Sequence, residues 1–200
     1  MVGFPNIIDM ANLIFKYGTM SSGKSLHLLS TAYNFKENNI KYQLIKSSID
    51  DRNGDEIFSR IGIGEKCTLI NPKENVWKYI DLDVDWVLVD EAQFLSPFQV
   101  EQLANIVDEY NINVVCYGLR TDYLTNLFDG SKRLFELADK FEELPSYCNC
   151  GNKTSVNAKI DKDGNFEFDN NGSQIEIGGN ERYKSICRKC FYDNFLKKFN

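Results

Sequence analysis

The chain has 200 residues, 42% of them hydrophobic and 13% aromatic, enough to bury one α/β domain with a small appendage and too few for a large multidomain assembly. Its 29 acidic residues outweigh 23 basic ones, for a net charge of −6, so there is no bulk basic surface to draw DNA or RNA, and a small-molecule substrate is favoured. No run approaches the ~18–20 apolar residues that span a bilayer and the first residues lack the charged-then-apolar pattern of a secretory leader; a cytoplasmic protein with no membrane partner is expected.

In chain order, Leu13–Tyr17 is a short apolar run suited to a buried strand. It leads into Gly18, Thr19, Met20, Ser21, Ser22, Gly23, Lys24 and Ser25, a complete G-x(4)-G-K-[ST] phosphate loop. Leu26, Leu28, Leu29, Ala32 and Tyr33 then recur at helical spacing. Strand, loop and helix in this order are the context in which the motif binds a nucleoside triphosphate. Consecutive N–H groups and the helix N-terminus face the phosphates, with Lys24 on the β/γ-phosphates and Ser25 on Mg2+. Tyr42–Lys46 predicts a second strand, Ser47–Asp55 a polar loop, and Lys66–Ile70 a third, shorter strand. Trp86–Asp90 is a continuous apolar run ending in a carboxylate, as expected for a strand covered on both faces. A helix is predicted from Ser96-Pro97 to about Tyr110, then a strand at Asn113–Tyr117, then Gly118 and a long loop to Gly130. This alternation predicts an α/β fold, a mainly parallel P-loop NTPase-like sheet flanked by helices. Ligands bind such sheets beyond the carboxyl ends of the strands, where Gly18 and Asp90 fall.

From about Pro145 the character changes, and the expected division is 1–144 for the nucleotide-binding part and 145–200 for a small metal-tied lobe. Four of the six cysteines form two close pairs, Cys148/Cys150 and Cys187/Cys190. In a reducing compartment such pairs favour a metal over disulfides, and four thiolates close a tetrahedral, structural zinc site that fastens the ends of the intervening loop. Cys67 and Cys116 stand alone. Asp161–Asn165 predicts a hairpin turn; a calcium loop is excluded because Gly164 comes too early after Asp161. Gln174, Ile175, Glu176, Ile177 and Gly178 alternate toward a Gly178-Gly179 pair, which taken alone reads as a plain strand and turn. His27 is assigned no role.

Asp90 followed by Glu91 supplies two acids with separate tasks. Asp90 can hold Mg2+, which leaves Glu91 to act as a general base. If the acceptor is water the protein is an ATPase; if it is a substrate hydroxyl the protein is a kinase.

Together, Gly18–Ser25, Ile49-Asp50-Asp51-Arg52, Ser59-Arg60-Ile61-Gly62, Val89-Asp90-Glu91-Ala92-Gln93-Phe94, Tyr117-Gly118-Leu119-Arg120-Thr121-Asp122, Ile177–Tyr183 and Cys187-Arg188-Lys189-Cys190 resemble the cytosolic, zinc-containing type of thymidine kinase, especially its enterobacterial branch, over about residues 13–195. The resemblance implies transfer of the γ-phosphoryl group of ATP to the 5′-hydroxyl of thymidine, with Glu91 taking the hydroxyl proton. It places Gly18–Ser25, Arg60, Asp90 and Gln93 on ATP and Mg2+. Met20, Arg52, Leu119, Tyr123 and Phe128 would meet the nucleoside. A zinc-bound lasso, Gln174–Gly178, would bind thymine through its backbone with Tyr183 closing the pocket. A homotetramer inhibited by thymidine triphosphate (dTTP) is also implied. The chain departs from the family pattern at Tyr123, where phenylalanine is common, and at the tight Cys148-Asn149-Cys150 spacing, similar to the enterobacterial form. Asn157 occupies a variable position expected to face the thymine methyl. A methyl in an apolar pocket is worth only about 1–3 kcal/mol, so moderate tolerance of deoxyuridine follows. The competing readings are another deoxynucleoside kinase and a P-loop ATPase whose zinc lobe binds a partner.

Overall fold

The computed structural model describes residues 10–168 and 182–199, with side chains described as far as Leu196 in the last helix. Its main body is a six-stranded sheet built from β1 (Leu13–Tyr17), β2 (Tyr42–Ser47), β5 (Thr68–Ile70), β6 (Trp86–Asp90), β7 (Asn113–Gly118) and β8 (Lys140–Glu143), in the order β5-β2-β6-β7-β1-β8. Every neighbouring pair runs parallel. The parallel α/β sheet expected from the sequence is therefore present, and Leu13–Tyr17 and Trp86–Asp90 have the bounds their apolar runs predict.

Both faces of the sheet are covered, which is why its central strands read as unbroken apolar runs. Helix α1 (Lys24–Glu37) lays Leu28, Leu29, Ala32 and Phe35 on Leu88, Val115 and Tyr117. On the other face, α2 (Pro97–Tyr110) packs Val100, Leu103, Ile106 and Val107 against Val87, Val89, Val114 and Cys116. Helix α2 begins where predicted: the Ser96 hydroxyl accepts from the Gln99 N–H, the Gln99 side chain accepts from the Ser96 N–H, and Pro97 fills the first turn. Such a capping box contributes about 1 kcal/mol.

Two segments differ from expectation. The run Lys66–Ile70 is divided at Cys67, whose N–H bonds to the Asp55 carbonyl at 2.9 Å. Before that point β4 (Ile63–Lys66) pairs antiparallel with β3 (Glu56–Ser59) in a separate hairpin; after it, β5 joins the main sheet. Beyond Gly118 the long loop ends one residue before Gly130, in α3 (Asp129–Leu137), and β8 follows as a charged edge strand.

The C-terminal segment forms its own three-stranded antiparallel sheet, β10-β9-β11, from β9 (Val156–Ile160), β10 (Phe166–Glu167) and β11 (Tyr183–Ile186). The turn between β9 and β10 is the predicted Asp161–Asn165, closed by the Asp161 carboxylate accepting from the Asn165 N–H at 2.8 Å, with Gly164 at φ 82°. Helix α4 (Arg188–Phe199) ends the chain. Gln174, Ile175, Glu176, Ile177 and Gly178 lie outside the described residues. Among the described residues no helix is long and apolar enough to cross a membrane.

Candidate active site

The C-terminal ends of β1, β6 and β2 converge on one edge of the sheet. After β1 the chain turns at Gly18, where a side chain would meet the Leu144 carbonyl at 2.6 Å, and it enters α1 through Gly23 at φ 80°. These two glycines are thus required by close approach and by left-handed backbone respectively. Lys24 opens α1 and is buried, its Nζ folded back on the loop and donating to the Thr19 carbonyl at 2.9 Å. Burial lowers its pKa. Ser25 donates its hydroxyl to Asp90 at the end of β6, two strands away across β7. Burial, reinforced by the neighbouring Glu91, pushes Asp90 up to about 7.

Glu91 leaves the strand in left-handed backbone, φ 51°, a conformation that costs a non-glycine residue about 1–3 kcal/mol and persists only where surroundings impose it. Here they do. Its N–H donates to Asp90 Oδ1 at 3.0 Å, Oε1 accepts from Arg52 Nη2 at 2.8 Å, and Oε2 accepts from Gln93 Nε2 at 2.5 Å. Gln93 in turn accepts from the Leu119 N–H at 2.9 Å. Arg52 also donates from Nε to Asp50 Oδ1 at 2.6 Å, a bond that raises its pKa. Behind this pair, buried Lys46 donates to the Glu56 carbonyl at 2.9 Å and stands 3.9 Å from Asp50 Oδ2.

A cavity of about 770 Å³ runs past these groups, within the ~300–1,000 Å³ range of small-molecule sites. Its lining includes Met20, Ser21, Gly23, Lys24, Ser25 and Arg60, the last donating to Ser21 Oγ at 2.8 Å. Asp90, Glu91, Gln93 and Arg52 line it as well, and Leu119, Tyr123, Phe128 and Tyr183 supply apolar surface. Tyr123 and Phe128 are buried, Phe128 edge-on to Phe94 at 5.8 Å and Tyr123 beneath Lys159 Nζ at 5.2 Å. Gly18, Thr19 and Ser22 belong to the loop without lining this cavity. The Ser22 hydroxyl is buried with no hydrogen-bond partner among the described residues.

The two cysteine pairs meet. The sulfurs of Cys148, Cys150, Cys187 and Cys190 all lie within 4.8 Å of one another, with Cys150 and Cys187 3.6 Å apart. Tetrahedral metal–sulfur bonds of ~2.3 Å require sulfurs ~3.8 Å apart, so the set fits one metal ion. The tight pair is accommodated by a turn in which the Gly151 N–H bonds to the Cys148 carbonyl at 2.8 Å. N–H donors face the sulfurs: Asn152 Nδ2 to Cys150 at 3.3 Å, and the Cys190 N–H to Cys187 at 3.4 Å. Cys67 and Cys116 lie elsewhere, and burial pushes both thiols up, Cys67 to about 11.

A family profile described as Thymidine kinase matches residues 11–191. The chain belongs to the thymidine kinase family. It is 45% identical to a thymidine kinase of Mannheimia succiniciproducens over 197 residues, covering 96% of this chain and all of that one. It is 44% identical to one of Haemophilus influenzae (90% and 95% covered) and 42% identical to one of Photobacterium profundum (90% and 96%). Among solved structures, the Pif1 helicase of Candida albicans aligns with 72% of this chain at a TM-score of 0.42 and 13% identity, and the chain spans 40% of that protein.

Within this member of the thymidine kinase family, several site groups are not evident from motifs. Lys46 is one, its available signal a lysine at the end of an otherwise apolar strand; its neighbour Asp50 falls within the Ile49–Arg52 motif, but their pairing is not legible from it. Asn157, singled out by the family resemblance rather than by a motif, lines the cavity, and its amide is also spent on main chain, accepting from the Met20 N–H at 2.7 Å and donating to the Thr121 carbonyl at 3.4 Å. His27 packs against Tyr117, with Nδ1 3.2 Å from the hydroxyl, and burial lowers its pKa.

Proposed function

We propose that the protein transfers the γ-phosphoryl group of ATP to the 5′-hydroxyl of thymidine, giving thymidine monophosphate (dTMP) and ADP. The observation that carries this reading is that one cavity is lined by phosphate-loop residues, by Glu91 and by an apolar surface of Leu119, Tyr123, Phe128 and Tyr183. An ATPase acting on water has no use for such a wall, whereas a nucleoside acceptor does.

In this account Gly18–Ser25 cradle the triphosphate, and Lys24 leaves the Thr19 carbonyl to meet it. Ser25 and Asp90 offer the oxygen donors that suit Mg2+. A Mg2+ ion held by these two residues would supply charge neutralisation for the phosphates. Arg60, at the rim beside Ser21, faces the transferring group, and Gln93 orients Glu91. Arg52 and Gln93 each hold one oxygen of Glu91, fixing the carboxylate that accepts the 5′-hydroxyl proton. Met20, Leu119, Tyr123 and Phe128 surround the nucleoside, and the lasso Gln174–Gly178 with Tyr183 covers the base. Cys148, Cys150, Cys187 and Cys190 hold a structural Zn2+, which removes freedom from the segment between the pairs. The division at 1–144 and 145–200, a cytoplasmic homotetramer, and dTTP as end-product inhibitor belong to the same reading and are supported by family membership.

The test is direct. With ATP labelled at the γ-phosphate, label is expected on the 5′-oxygen of thymidine. Deoxyuridine should compete with a specificity loss of about 10–200-fold, the worth of one methyl group in an apolar pocket. Label recovered only as inorganic phosphate would reject the kinase.

A further inference from the structure

The phosphate loop is held from outside the main sheet as well as by its own strand and helix. The Met20 N–H donates to Asn157 Oδ1 at 2.7 Å, and the Met20 carbonyl accepts from Ser185 Oγ at 2.7 Å. One residue earlier, Thr19 Oγ1 lies 2.7 Å from Thr154 Oγ1. The Thr154 proton is committed to the Ser146 carbonyl at 3.0 Å, so Thr19 is the donor in that pair. Asn157 and Ser185 are register partners on β9 and β11, and Thr154 and Asn157 are buried at 2% and 4% exposure. Such desolvated bonds fix geometry firmly. Both polar groups of Met20 are therefore turned to the C-terminal lobe just before Ser21, which is left-handed at φ 62°. Arg120 Nη2 to the Ser155 carbonyl at 3.1 Å, and Asn157 to Thr121, tie the same lobe to the chain after β7. Among the described residues, the lobe's buried apolar cluster contains only residues of the lobe itself, and the contacts named above are polar.

We infer that Thr154, Asn157 and Ser185 are positioning residues that hold the phosphate loop in its triphosphate-binding shape, so the C-terminal lobe sets ATP affinity as well as covering the acceptor. The inference rests on Gly18–Ser25 being the ATP site. Ser185 precedes Cys187 by two residues, and Thr154 lies shortly after Cys150. The four-cysteine cluster thus anchors the chain near both groups.

Ser185→Ala removes the bond to the Met20 carbonyl and a 3.4 Å contact with Asn157 Oδ1, and Thr154→Val removes the bond from Thr19 together with the one to the Ser146 carbonyl; neither residue lines the cavity. Mg-ATP binding is measured by calorimetry without nucleoside, and KM for ATP and for thymidine are measured separately. The loss of one hydrogen bond to the phosphate loop predicts ATP binding weakened by about 3–10-fold in each variant, with thymidine KM changed by less than about 2-fold. Ser185→Thr, which keeps the hydroxyl, should restore ATP binding. Wild-type ATP affinity in both variants, or an equal loss for thymidine, would overturn the positioning role. Wild-type protein that binds no Mg-ATP would overturn the phosphate-site assignment itself, and the positioning role with it.

Discussion

The parallel sheet and the cysteine-bound lobe meet at one cavity but are held together differently. Among the described residues, the sheet buries apolar clusters of eighteen and nine residues on its two faces. The lobe's described buried cluster has five members, and two of these belong to the four clustered cysteines. Hydrophobic burial scales with area, so the sheet supports itself, whereas the described part of the lobe has less apolar area to offset its chain entropy and would gain most from a cross-link. In the proposed account, phosphate chemistry rests on the region stable by packing, and the cover rests on the region that a metal on the four cysteines would stabilise.

Removing the metal should sharpen this contrast most. A structural zinc site contributes apparent binding free energy of about 10–16 kcal/mol to the segment it orders. Chelation, or Cys187→Ser, should therefore expose the lobe to limited proteolysis while the sheet keeps its far-UV circular dichroism; simultaneous loss of both regions would break the comparison. Next in size, Glu91→Gln should lower kcat by about 10²–10⁴-fold with both regions intact, as read by steady-state kinetics beside a thermal melt. Leu103→Ala, in the core beneath the sheet, should cost about 2–5 kcal/mol of global stability in denaturant titration and leave metal content unchanged. Smallest is Ser96→Ala, which deletes the α2 cap and should cost about 1 kcal/mol in the same titration.

The same contrast governs what the sequence reveals. Strands β1, β6 and β7 and helix α2 were legible because their signals are local: unbroken apolar runs, a serine cap and a proline in the first turn. The β3–β4 hairpin was not, because Phe58, Ile61 and Ile63 are exposed and break the alternation of a half-buried strand. Strand β8, Lys140–Glu143, carries three charges in four residues at a sheet edge, where charge discourages further pairing. At the site, the phosphate loop, the Asp90-Glu91 pair and the cysteines announce themselves by spacing. Lys46 with Asp50 and Glu56, and Asn157 and Ser185 with Met20, do not, because their meaning lies in contacts made only when distant segments are brought together.

The central claim is that sheet and lobe build one site in which ATP reacts only with a nucleoside. Its most direct test is to follow ADP and thymidine monophosphate together, with Mg-ATP present and thymidine either added or omitted. The account predicts equimolar products with thymidine and background ADP without it. ADP released at the same rate in both cases would contradict it.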